Sequence, residues 1–119
     1  MDLEHTVEHR SAYSVVRVRG DVAVGQFLSF LEVIGIDSQA WPTRRLMFDL
    51  RGVRSLVGAG EHRSVGAQVV RHLSHLERVA SVVPPDRMTG ESERVARASG
   101  VNLRVFTTEA EAIAWLVAP

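Results

Sequence analysis

Hydrophobic and polar positions fall into two kinds of block along this chain. Between residues 44 and 60 the sequence reads RRLMFDLRGVRSLVGAG. Leu46, Met47, Phe48 and Leu50 form a short apolar run with one carboxylate, Asp49, near its end. Such a run, bounded by turn-formers, predicts a buried central strand. Gly52, Gly58 and Gly60 predict a glycine-rich loop after it. Upstream, Leu3 to His9 and Tyr13 to Arg19 predict two strands, and the short Ser11-Ala12 link makes them an antiparallel hairpin. Gly20-Asp21 ends the second strand. Val24, Phe27, Leu28, Leu31 and Ile34 recur at helical spacing, which predicts an amphipathic helix of about three turns stopped by Gly35, Asp37 and Ser38.

Downstream of the loop, Glu61 to His75 predicts a second helix with Val65, Val69, Leu73 and Leu76 on its buried face. Glu77 to Val83 predicts a strand closed by Pro84-Pro85. A short third helix starting at Thr89 or Ser92 runs through Val95 and Ala98 to Gly100. Val101 to Phe106 is the last predicted strand. Thr108 and Glu111 have the spacing of a capping box ahead of a terminal helix with Ile113, Trp115 and Leu116 on its apolar side. Strands alternating with helices call for parallel pairing through right-handed crossovers. The expected fold is therefore α/β, with a mixed, mostly parallel sheet of four or five strands and about four helices. Residues 1–119 are read as a single domain.

Composition narrows the function. The 119 residues are 45% hydrophobic and 24% charged, enough for a real core. A net charge of +0 gives no global field toward nucleic acid or a membrane surface. The absence of cysteine excludes disulfides, thiolate zinc sites and cysteine nucleophiles. No apolar run approaches the roughly 20 residues that span a bilayer. Met1 to Arg10 carries Asp2, Glu4 and Glu8 and does not read as a signal peptide. The expected location is cytoplasmic. All 14 basic residues are arginine, and their spread along the whole chain reads as a coding bias rather than a built phosphate site.

The candidate site is the loop after the central strand, because open α/β sheets place their sites at the carboxyl ends of the strands. Its residues are Asp49, Arg51, Arg54, Gly58, Ala59, Gly60, Glu61 and His62. The glycines allow close backbone approach, the arginines offer donors to a carboxylate, and the next helix offers unpaired N–H groups near Glu61 and His62. Other constellations are weaker. His72 and His75 are spaced i, i+3, with His72 projected near the apolar stripe and His75 solvated on its flank. His5 and His9 read as surface residues. No Gly-x-Ser-x-Gly elbow supports a hydrolase, and Gly58-Ala59-Gly60 lacks the lysine and spacing of a phosphate loop. Trp41 and Trp115 read as sealing the core. No cofactor or metal is expected.

The order of elements, with Asp49, Leu50, Val53 and Gly60 around the central strand, resembles the anti-sigma-factor antagonist (SpoIIAA-like, STAS) superfamily. Val105-Phe106, Glu111-Ala112 and Trp115-Leu116 resemble the ending of its small bacterial members. The resemblance implies a non-catalytic regulatory module that binds a protein partner. Its phosphorylated members carry a serine or threonine just before the glycine. Here Gly58-Ala59 precedes Gly60, Val57 stands where the acidic residue is usual, and Arg51 where serine is frequent. The kinase switch therefore does not carry over, and Ser55 and Ser64 lie off the position. The alternative is a small-molecule binder, for an apolar, lipid-like or anionic ligand, at the same loop. A homodimer is left open.

Overall fold

The computed structural model describes residues 3–21, 24–54, 67–85, 94, 97–98 and 100–119. Five strands are formed: β1 (Glu4–His9), β2 (Ser14–Asp21), β3 (Arg45–Arg54), β4 (Arg78–Val82) and β5 (Leu103–Phe106). They lie in one sheet in the order β1-β2-β3-β4-β5. β1 pairs antiparallel with β2, and the other neighbours are parallel. The helices are α1 (Val24–Ser38), α2 (67–73) and α3 (Glu109–Val117), with further helical residues at 94 and 97–98. This is the mixed, mostly parallel α/β sheet that the hydrophobic pattern predicts, with β3 at its centre.

Strands that follow one another across a parallel sheet by right-handed crossovers put their connecting helices on one face. α1 and α2 obey this. Phe27, Phe30, Leu31 and Ile34 of α1 and Val69 and Leu73 of α2 form one core with Val16, Val18, Leu46, Phe48 and Val79 of the sheet. α3 packs on the opposite face, where Ala112 and Leu116 meet Val15, Met47, Ala80 and Val82. The alternation along β3 follows directly: Leu46 and Phe48 point to α1, Met47 to α3. A strand covered on both faces needs apolar residues at successive positions, which is why this segment is an unbroken apolar run.

Four details differ from the sequence pattern. α1 continues through Gly35 to Ser38 as a helix of 15 residues. Gly35 is there for proximity: a Cβ on it would sit 2.7 Å from both the Cβ and the carbonyl oxygen of His72. β3 runs to Arg54, so Gly52 lies in the strand rather than in a loop. Likewise β2 extends through Gly20, at φ 128°, to Asp21. His75, read as solvated, is half-buried beyond α2, with Nε2 2.9 Å from Ser38 Oγ. Ser38 Oγ itself donates to the Gly35 carbonyl, so the His75 ring is the donor in the pair. His72 bonds separately to Gln68, at 2.8 Å.

Two substitutions test this packing. Phe48, 2% exposed, should cost about 3–5 kcal/mol on truncation to alanine. Gly35→Ala should cost about 1–3 kcal/mol, because α1 and α2 must separate. Denaturant unfolding measures both. A loss under about 1 kcal/mol for Phe48→Ala would contradict its place in the core.

Candidate functional site

The apolar run of β3 ends in Asp49, which faces α3 by the same alternation as Met47. Arg17 of β2 is its register partner, and its Nη1 donates to Asp49 Oδ2 at 2.9 Å. Between Arg17 and Arg19 the β2–β3 register shifts: Arg17 pairs with Asp49, but Arg19 pairs with Gly52. One extra residue is thus accommodated in β3 at Leu50-Arg51, a β-bulge. The bulge lets Leu50 and Val53, three residues apart, both meet the α1 core. It also lets Arg51 turn back over Asp49, donating from Nε at 2.8 Å and Nη2 at 2.9 Å.

Glu109 closes the cluster from the first turn of α3. It accepts from Arg17 Nη1 at 3.0 Å and Nη2 at 3.1 Å, and from Arg51 Nη2. Thr108 caps the helix, its Oγ1 accepting from the Glu111 N–H at 3.3 Å and donating to Glu111 Oε1 at 2.9 Å. A carboxylate in that first turn is favoured by the helix dipole. Two arginines and two carboxylates therefore join β2, β3 and α3 at the carboxyl edge of the sheet.

The charges tune one another. The Arg17 hydrogen bonds hold Glu109 below the ordinary carboxylate range against the cost of partial burial, and Arg51 adds to the effect. Partial burial alone would raise Asp49, but hydrogen bonds from the Arg51 side chain and N–H, then from Arg17, outweigh it and lower the carboxyl. Bonds to Glu109 raise Arg17, and bonds to Asp49 raise Arg51. Chemically this cluster is a clamp. Asp49 is too weak a base to take a proton at neutral pH, and both guanidinium groups are already engaged by carboxylates.

Beside the clamp, on the side toward β1, lies an open groove of about 340 Å³ lined by Thr6, Arg17, Val18, Arg19, Asp49 and Gly52. A Cβ on Gly52 would come within 2.8 Å of the Arg19 Cβ, so the glycine permits the close approach of β2 and β3 at its floor. Of the eight candidate site residues, Asp49 and Arg51 meet in the clamp. Arg54 ends β3, and Gly58, Ala59, Gly60, Glu61 and His62 lie outside the described residues, as do Ser55 and Ser64. Sequence reasoning missed Arg17 and Glu109. Glu109 carried a signal, an acidic residue directly after a capping threonine. Arg17 looked like one polar position of an alternating strand.

A family model described as SpoIIAA-like matches residues 14–117. The chain belongs to the SpoIIAA-like family. Solved structures agree on the fold. An anti-sigma factor antagonist from Mycobacterium paratuberculosis is similar with a TM-score of 0.66 at 16% identity, over 98% of this chain and 96% of that one. An uncharacterised protein of the DUF3478 family with a SpoIIAA-like fold, from Shewanella loihica, is similar with a TM-score of 0.58 at 13% identity, over 96% of this chain and 93% of that one. No match was found among curated proteins. Among the described residues no helix of this SpoIIAA-like chain is long and apolar enough to cross a membrane.

The clamp has a pH signature. Asp49 and Glu109 titrate lower in the folded chain than in the unfolded one, so their contribution is complete above the ordinary carboxylate range and is lost as pH falls below about 4.5. His75 is lowered by burial and then by the charge of Arg44. Its contribution is complete above about 6.5 and is lost as pH falls below that. Unfolding free energies of wild type and variants across pH 3–8 check both windows. Glu109→Gln should lower stability at pH 7 by about 1–3 kcal/mol and flatten the acid limb. His75→Gln should flatten only the limb starting near 6.5.

Proposed function

We propose that this chain is a non-catalytic regulatory module of one domain, acting in the cytoplasm, that binds a protein partner at the carboxyl edge of its sheet. The contact surface we propose comprises the end of β3, with Asp49 and Arg51, and the sequence that follows it, with Arg54, Gly58, Ala59, Gly60, Glu61 and His62 as the residues that meet the partner. The observation that carries this reading is the four-residue clamp. It fixes the end of β3, from which that loop departs, to β2 and α3 with paired charges rather than with a reactive set. Membership of the SpoIIAA-like family and the anti-sigma factor antagonist among its structural relatives support a role in partner binding. The missing hydroxyl at Ala59 argues that its control does not run through phosphate at that position.

A second reading rests on the groove of about 340 Å³, near the lower end of ligand-pocket volumes. The Arg19 side chain at its rim is 75% exposed and meets Glu4, itself exposed, at 3.3 Å. A small anionic ligand would exchange that loose contact for its own.

Two experiments separate the readings. A photo-reactive residue is placed at position 62 in one variant and at exposed Val117 in another, and each is cross-linked in extract of the native host. The module reading expects a discrete protein adduct from position 62 that is absent from position 117. It is overturned if adducts form equally from both sites or from neither. Native mass spectrometry of the purified chain tests the second reading. A bound small anion, lost in Arg19→Ala, supports it, and an unliganded mass rejects it.

A further inference from the structure

β1 is an open edge. It pairs with β2 on one side, and among the described residues no strand lies along the other. All six of its residues are exposed. The hairpin fixes which backbone groups face outward. Arg10 N–H donates to the Tyr13 carbonyl at 2.8 Å, so 10 and 13 are a hydrogen-bonded pair. Alternate residues repeat that role in an antiparallel ladder. Glu4, Thr6 and Glu8 therefore bond to β2, while His5, Val7 and His9 turn their N–H and C=O groups to the open edge.

Natural edge strands are blunted by proline, charged side chains, bulges or a covering element. β1 has a regular register to β2 and no proline, and its two carboxylates, Glu4 and Glu8, alternate with Thr6 on the face away from Val7. Its flank is apolar as well. Val7 is 37% exposed on the face that α1 covers, where the His5 ring lies 4.9 Å from that of Phe30. Val33 follows Phe30 at i+3 and is 49% exposed. Two of the exposed large apolar residues, Val7 and Val33, thus adjoin the rim where β1 and α1 meet.

We infer that β1 pairs with β1 of a second copy of this chain, antiparallel about a two-fold axis through Val7. Charge selects this register. Continuous faces require partners of equal parity. Centring on Val7 sets Val7 against Val7, His5 against His9, Thr6 against Glu8 and Glu4 against Arg10. A shift of one residue either way sets Glu4 against Glu8 or Glu8 against itself, and like charges directly opposite destabilise a pair. In the chosen register every outward-facing residue finds an outward-facing partner, so the new ladder is hydrogen-bonded at each of them. The two-fold makes the contact self-complementary and closed. It joins two sheets into one and brings the Val33 flanks of the two α1 helices toward each other. The proposal rests on β1 and α1 alone, so it stands or falls independently of the partner-binding reading.

Sedimentation equilibrium of the full chain, from about 5 to 500 µM, reads the association directly. The weight-average mass should rise with concentration from 13.1 kDa toward twice that value and no further. Val7→Pro should abolish the rise with far-UV circular dichroism unchanged, since the lost N–H faces the open edge and not β2. Arg10→Glu should weaken association about tenfold or more. Adding Glu4→Arg to it should restore association, and this charge swap decides the matter if Val7→Pro fails to fold. A wild-type mass that stays at one chain throughout overturns the proposal. So does a dimer that a folded Val7→Pro leaves intact, or one that the charge swap does not restore.

Discussion

The terminal helix is held at both ends by arginines that belong to the sheet, and the site depends on that arrangement. α3 has no basic residue in its last turn, so its final carbonyl groups and the negative end of its dipole need partners from elsewhere. Arg45 and Arg78, register partners at the start of β3 and β4, supply them. Arg78 donates to the carbonyls of Trp115 at 2.7 Å and Ala118 at 2.8 Å, and Arg45 to those of Leu116 and Ala118. At the other end Glu109 sits between Arg17 and Arg51. Each helix end thus carries a charge of the favourable sign, Glu109 at the first and Arg45 with Arg78 at the last, and the short apolar stripe of Ala112 and Leu116 is placed over Met47 and Ala80. Trp115 finishes the contact, with the guanidinium groups of Arg78 and Arg104 at 5.7 Å and 5.6 Å from its ring and Phe106 beside it.

This gives the arginine content a structural meaning that its distribution along the chain conceals. A guanidinium can donate in a fork to a carboxylate or to two carbonyls at once, which a lysine ammonium cannot do with the same geometry. Arg17, Arg45, Arg51 and Arg78 all use that fork. Apart from Asp49, two residues from Arg51, their partners are far away in sequence, up to 92 residues for the Arg17–Glu109 pair. No local pattern announces such pairs. Spread along a chain, the arginines look like composition; folded, four of them surround one helix.

The fold was legible because its signals are local and periodic. The apolar run at Leu46 to Leu50, the Ser11-Ala12 turn and the Thr108 cap each specify one element, and each stands where the periodicity puts it. The misread element boundaries share one cause, which is that glycine has more than one use. Gly35 looks like a helix stop, yet the helix passes through it because His72 of α2 packs against the vacant Cβ position. Gly52 looks like the start of a loop, yet it continues β3 opposite Arg19. In both places the reason for glycine is a neighbouring element, and sequence distance hides it. The site was legible in outline, because Asp49 and Arg51 end the central strand. Its other half, Arg17 and Glu109, required the tertiary structure.

The clamp also bears on how a partner surface can be both stable and adjustable. A bulge in a central strand interrupts the ladder and costs regular pairing. Here the residue it displaces, Arg51, is used to tie β3 to α3, so the irregularity is stabilised by the charges it brings together. Each guanidinium in the clamp bonds both carboxylates, so loss of one side chain leaves the other three still partly paired. Side chains in such a network are coupled, and their separate deletions are not expected to add. A change that pulled Arg51 away would be felt at Glu109 directly and through Arg17, and so at the first turn of α3. The carboxyl edge of the sheet and the terminal helix on its far face are therefore one mechanical unit, connected through the four charges of the clamp.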